Sequence, residues 1–239
     1  FIILCIPGGK YLSTVISYEK SPFDRIFDPL DNLIYRITSI TKEDMNWKEY
    51  SKAILYSNFF AFFITFIVFR FQGFFRNSAV FDSALSFNSA VSFVTNTNLQ
   101  NYSGEDAGLI TTLIIIFQMF FSAATGFAAA SAFIRGLAKE KSLGNFFMDI
   151  TRIITRVLLP LAAIIAVILV INNVPQVFSG TQIIKTIEGN FQAIKLGPAA
   201  SLESIKHLGT NGGGIFSANS AHPYENPTNF TNTLEMLSM

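Results

Sequence analysis

Between Ala107 and Ile134 the chain runs for 28 residues without a charged side chain. As a helix rising about 1.5 Å per residue, that stretch exceeds the roughly 30 Å hydrocarbon core of a bilayer. A helix on a water-soluble protein keeps one polar face, so an uncharged run of this length belongs in lipid. Residues 53–69, "AILYSNFFAFFITFIVF", and 157–173, "VLLPLAAIIAVILVINN", repeat the pattern. Buried core helices of a large soluble protein are the competing reading. It fits poorly with a chain that is 50% hydrophobic and 14% charged, because soluble domains carry nearer 25% charged residues. The expected fold class is therefore an all-α membrane protein.

The ends and the connecting segments follow from the same logic. "FIILCIPGG" is too short to cross a bilayer and reads as the tail of a transmembrane helix over 1–9. "TNFTNTLEMLSM" reads as the start of a further span. Twelve of the seventeen Lys and Arg residues fall in 10–52 and 135–156. Three alternating spans place those two segments on one side, and the positive-inside rule makes that side the cytoplasm. Residues of about 73–106 and 174–215 then face outward. Pro160 sits where a helix begins, or else kinks it. Cys5 stands alone and forms no internal disulfide framework. A net charge of +1 gives no case for a nucleic-acid partner.

Each outward segment holds a short, mildly apolar stretch that runs into a polar loop. "FDSALSFNSAVSFV" (81–94) leads to Thr95-Asn96-Thr97-Asn98, and "PAASLESIKHLG" (198–209) leads to Thr210-Asn211-Gly212-Gly213-Gly214. Neither stretch can span, so each is expected to be a re-entrant or interfacial helix. Asp82 and Ser201 are the expected N-caps, with Glu203 supporting the second helix start. Thr95 and Thr210 lie 115 residues apart, which reads as the length of an internal repeat. The first repeat then covers 53–134 and the second 157–239.

The loops suggest their own chemistry. Non-helical backbone at membrane depth persists only where it is buried in protein or lines a watery cavity. Its carbonyls need partners, and a dehydrated cation is one. Thr hydroxyls and Asn amide oxygens add neutral, hard ligands. Such a set suits a large monovalent ion such as K⁺, whereas divalent ions usually recruit carboxylates. Glycine reaches positive φ without strain, which helps successive carbonyls point one way. Ordinary polar turns are the alternative for each motif taken singly. Asp82, Glu105, Asp106 and Glu225 serve either to concentrate cations or to keep the loops soluble. "GTNGGG" lacks the ending of a phosphate loop, which argues against a nucleotide site. His207 and His222 have no Cys or His partner at ligand spacing, and no Ser-His-Asp arrangement stands out.

Four stretches, "NSAVSFVTNTNLQNYSGE", "LGTNGGGIFSANSAHPYENPTNFTN", "DNLIYRITSITKEDMNWKEY" and "LGNFFMDITRI", resemble the potassium-binding subunit of the Kdp-type potassium-transporting ATPases of bacteria and archaea. The similarity covers the whole chain. It implies potassium-channel-like repeats of span, pore helix, filter loop and span, of which about half of a four-repeat chain is present. By position, Val94, Thr95, Asn96, Thr97 and Asn98 would form one filter strand. Gly209, Thr210, Asn211, Gly212 and Gly213 would form a second, with Gln100 near the outer mouth. Leu99 departs from the aromatic residue common there. The resemblance further implies a non-hydrolytic subunit, with K⁺ as the transported ion and no nucleotide bound by this chain. Its partners would be a P-type ATPase catalytic subunit (KdpB) and the accessory subunits KdpC and KdpF. Its location would be multi-pass in the plasma membrane. A passive or ion-coupled potassium channel or transporter of the pore-loop superfamily is the rival reading.

Overall fold

The computed structural model describes residues 2–74, 79–178 and 181–239. Phe1 of the expected helix tail, and 75–78 and 179–180 of the expected outward segments, lie outside the described residues. Among those described, three helical stretches are long and apolar enough to cross a membrane: Trp47–Phe74, Leu109–Leu137 and Phe146–Ile171. The protein is an all-α membrane protein. Among the described residues the strands form one small antiparallel hairpin, β1 (Thr181–Lys185) with β2 (Phe191–Lys195), which the sequence reading did not anticipate.

The chain divides into two compact units. The first contains Phe1–Phe59 and Phe120–Leu161. It holds α1 (Ile2–Ile16), α2 (Asp24–Thr38), the start of α3 (Trp47–Phe71), the second half of α5 (Leu109–Leu137) and α6 (Phe146–Ile153). Helix starts are written locally. Asn46 accepts from the Lys48 and Glu49 amides while Glu49 accepts from the Asn46 amide at 2.8 Å, a reciprocal cap that begins α3. Asn145 caps α6 by accepting from the Phe147 and Met148 amides, and its amide group donates to the carbonyls of Thr41 and Glu43.

A buried ionic network orders this unit. Arg135 donates to both Asp149 oxygens at 2.7 and 2.8 Å. The Tyr18 hydroxyl donates to Asp149 at 2.7 Å, and the Tyr50 hydroxyl lies 2.8 Å from it. Burial, with the Asp149 carboxylate beside it, pushes the Tyr18 hydroxyl above its ordinary range and keeps it a proton donor.

The helix that carries the third apolar run begins before that run, at Phe146. It takes in Arg152 and Arg156, which a charge count assigns to a linker. Arg152 donates to the carbonyls of Val15 and Glu19. The Arg156 guanidinium meets three carboxylates of α2: Asp24 at 2.8 Å, Asp28 at 2.6 Å, and Asp31. A π-helical segment, Ile154–Leu158, carries Arg156 and leads into α7 (Leu159–Ile171). Pro160 therefore lies inside a continuous rod. It has no N–H for the Arg156 carbonyl, and the Tyr11 hydroxyl supplies the missing donor at 2.8 Å.

The second unit contains Phe60–Met119 and Ala162–Met239. It holds the short helices α4 (Ser83–Val94), α8 (Ala199–Leu208) and α9 (Asn229–Ser238). Asp82 caps α4, accepting from the Leu85 amide at 2.7 Å. Ser201 does not cap α8, which begins two residues earlier, after Pro198. The Ser201 amide and hydroxyl are instead taken by the Gln176 side chain. Phe69 is fully buried between Phe81 and Phe93, ring centroids 6.0 Å away on each side, and Tyr102 closes the cluster 4.7 Å from Phe81. These rings fix the end of α4 against α3.

Candidate functional site

Both Thr-Asn loops lie in the second unit, and the structure brings them side by side. Helix α4 ends at Val94, and the Thr97 and Asn98 amides both bond back to the Ser92 carbonyl at 3.0 Å. Helix α8 ends at Leu208, and the Asn211 amide bonds back to the Lys206 carbonyl at 2.9 Å. Asn96 and Thr210, each just past its helix, adopt left-handed φ of 60° and 50°. These turns correspond at a spacing of 114 residues. The next left-handed positions, Asn98 at 54° and Gly213 at 86°, correspond at 115. The second loop thus carries one more residue than the first between its two left-handed positions, a slip that matching Thr-Asn to Thr-Asn conceals.

The side chains knit the loops together. The Asn96 amide donates to the Gly209 carbonyl at 3.2 Å, and the Asn211 amide donates to the Asn96 side-chain oxygen. The asparagines read from sequence as ion ligands therefore brace one strand against the other. Asn98 is 2% exposed and neither atom of its amide has a protein partner among the described residues. Thr95, Thr97 and Thr210 are exposed, with the Thr95 and Thr97 hydroxyls 3.0 Å apart. Val94 and Gly212 are half-buried, and Gly209 and Gly213 are buried. Gln100 is also a strut: its oxygen accepts from the Gly214 amide at 2.9 Å and its nitrogen donates to the Tyr102 hydroxyl at 3.2 Å.

A second layer, which sequence reasoning missed, holds the Gly212–Ile215 backbone. Asn219 accepts from the Gly213 amide at 2.7 Å, and Lys206 donates to the Gly213 carbonyl at 3.3 Å. Glu225 accepts from the Ile215 amide at 2.9 Å and the Phe216 amide at 3.3 Å. It is fully buried, so it neither solubilises a loop nor gathers cations from solvent. Burial and the nearby Glu203 carboxylate push the Glu225 carboxyl up to about 7. Lys206 forms a close ion pair with Glu203. His207 lies 3.5 Å from Glu203 and 3.3 Å from Glu235, so its partners are carboxylates rather than the Cys or His that spacing arguments seek. These three could offer a metal three ligand atoms within 4.8 Å of one another, but Lys206 and Ser220 already engage Glu203. The i, i+4 spacing of Glu203 and His207 was visible in sequence; Glu235, on α9, was not.

Gly104 gives the arrangement its tightest point. Its amide donates to the Ser217 hydroxyl at 2.6 Å, and a Cβ there would overlap the carbonyl oxygens of Gly214 and Ile215. Gly104→Ala is expected to displace the second loop and lower the thermal unfolding midpoint of the detergent-solubilised protein by several degrees. Gly126→Ala, where a methyl meets no atom within 4 Å, serves as the control. Equal unfolding midpoints in both variants would refute the contact's importance.

The fold and site define a class: a helical membrane protein in which two short helices each run into a Thr-Asn loop, the loops hydrogen-bonded to each other. The family profile described as "Potassium-transporting ATPase A subunit" matches residues 1–239. The chain belongs to that family. It is 48% identical over 246 residues to a protein of Clostridium acetobutylicum named "Potassium-transporting ATPase potassium-binding subunit", covering 100% of this chain and 44% of that relative. Proteins of the same name from Geobacillus kaustophilus, 48% identical with 100% and 44% covered, and Flavobacterium johnsoniae, 43% identical with 98% and 42% covered, are also similar. The chain spans less than half the length of these curated relatives.

Proposed function

We propose that this chain supplies two strands of the potassium-selecting filter in an ATP-driven, high-affinity K⁺ uptake pump. The observation that carries the reading is the direct Asn96–Asn211 bond, which holds both loops in one site. In this reading Val94–Asn98 and Gly209–Gly213 present backbone carbonyls, with the exposed threonine hydroxyls beside them, in place of the ion's water shell. The side-chain amides and the layer behind them keep those carbonyls placed. The segments 10–52 and 135–156 face the cytoplasm of a multi-pass plasma-membrane subunit. ATP hydrolysis belongs to a P-type catalytic partner (KdpB), with KdpC and KdpF as accessory subunits. The names of the relatives, and a family match over the full chain, support this assignment.

Uptake of K⁺ or radiolabelled rubidium by the assembled complex tests it. Uptake must require ATP and the catalytic partner; uptake that persists without either establishes the channel reading instead. Gln100→Arg is expected to lower K⁺ affinity roughly tenfold or more without altering membrane insertion. Arginine has no acceptor for the Gly214 amide, and its permanent charge opposes a cation nearby. Unchanged affinity would remove Gln100 from the site.

A further inference from the structure

Helix α2 has two faces of opposite character. Asp24, Asp28, Asp31 and Tyr35 point into the first unit, the three carboxylates toward Arg156; Asp31 and Tyr35 are 3% and 7% exposed. Phe23, Ile26, Leu30, Leu33 and Ile37 recur at alternating spacings of three and four residues, the period of a single helix face. At about 100° per residue that stripe lies roughly opposite the aspartates. All five are exposed, from 39% at Leu30 to 73% at Ile37. A water-facing helix would carry charge there.

Two observations identify what covers the stripe. The first is depth. Arg156 is the last charge before the uninterrupted apolar run of the third span, so α2 is tied at the level where that span leaves the polar region. The first span starts at the same unit's Trp47, exposed and followed by Lys48 and Lys52, a pattern that marks the bilayer interface. The second is charge. Arg25 and Arg36 lie beside the stripe on the helix surface, with Lys20 before it, all exposed; Lys42, after it, turns instead to the Asn32 side chain and the Tyr35 ring. Basic side chains beside an apolar stripe complement anionic lipid headgroups.

We infer that α2 lies in the membrane interface, its Phe23–Ile37 stripe sunk among lipid chains and its basic flanks at anionic headgroups. The Arg156–aspartate contacts clamp the helix from above, so the third span is anchored sideways to the leaflet at its base.

The test uses the full-length subunit in its assembled complex, with the exposed Cys5 replaced by Ser. An environment-sensitive fluorophore is attached at Ile26→Cys, Leu33→Cys or, as control, Asn32→Cys. The complex is reconstituted in vesicles of phosphatidylethanolamine and phosphatidylglycerol. The stripe labels are expected to shift to the blue and to lose most of their intensity to lipid bearing a nitroxide high on its acyl chain. The Asn32 label should be quenched by aqueous iodide instead. Iodide quenching of the stripe labels would show a face in water, and protection from both quenchers would show a face covered by protein; either overturns the inference. Ile37→Cys, at the end of the helix, provides the same readout where a mid-helix label blocks assembly.

Discussion

Gly213→Asp is expected to lower the K⁺ affinity of uptake by the assembled complex more than any other single change at the loops. Gly213 sits at φ +86°, and a Cβ there would lie 3.0 Å from the Gln100 side-chain oxygen and 3.4 Å from the Asn98 carbonyl. Forcing a non-glycine residue into a sparsely populated backbone region costs about 1–3 kcal/mol, which corresponds to roughly 5- to 150-fold in an equilibrium constant. The carboxylate adds a second penalty, since it enters a packed layer beside the Gln100 and Asn98 oxygens. Gly213→Ala separates the two effects, because it keeps the backbone strain and omits the charge. The expected order of affinity is wild type, then Ala, then Asp, with insertion and complex assembly unchanged. An Asp variant with wild-type affinity would take Gly213 out of the proposed filter.

The largest effect on stability is expected from Asp149→Ala. This carboxylate is 2% exposed and accepts both Arg135 nitrogens, with the Tyr18 and Tyr50 hydroxyls on its remaining sides. Removing it leaves the Arg135 guanidinium buried without a countercharge, a loss of about 3–5 kcal/mol for pairs of this kind. Exchanging both partners for apolar residues, Arg135→Met with Asp149→Leu, is expected to recover a large part of that loss, since no lone charge remains buried. Thermal unfolding of the detergent-solubilised complex reads both. An Asp149→Ala variant within about 1 kcal/mol of wild type would contradict the network's role.

The spans were legible in sequence because nothing in lipid competes with an uncharged helix. The Asp82 cap was legible for a similar reason, since its bond is local. What stayed hidden depended on partners far along the chain. Arg152 and Arg156 read as linker charges, yet the Val15 and Glu19 carbonyls hold the first and the α2 carboxylates neutralise the second within the helix that continues into the third span. Glu225 looked like a loop-surface acid because its acceptor role requires the amides of Ile215 and Phe216, which only the folded loop presents. The Thr-Asn pairs themselves stood out by composition. Their one-residue slip did not, because it is written in backbone angles rather than in residue identity.

That slip has an evolutionary side. In an oligomer of identical subunits, one codon change alters every copy of a loop at once. Here the two loops differ in length and in residue, so selection can adjust one corner of the site while the other is left as it was. Two unlike loops on one chain can diverge from each other in ways that no symmetric assembly can reach by a single mutation.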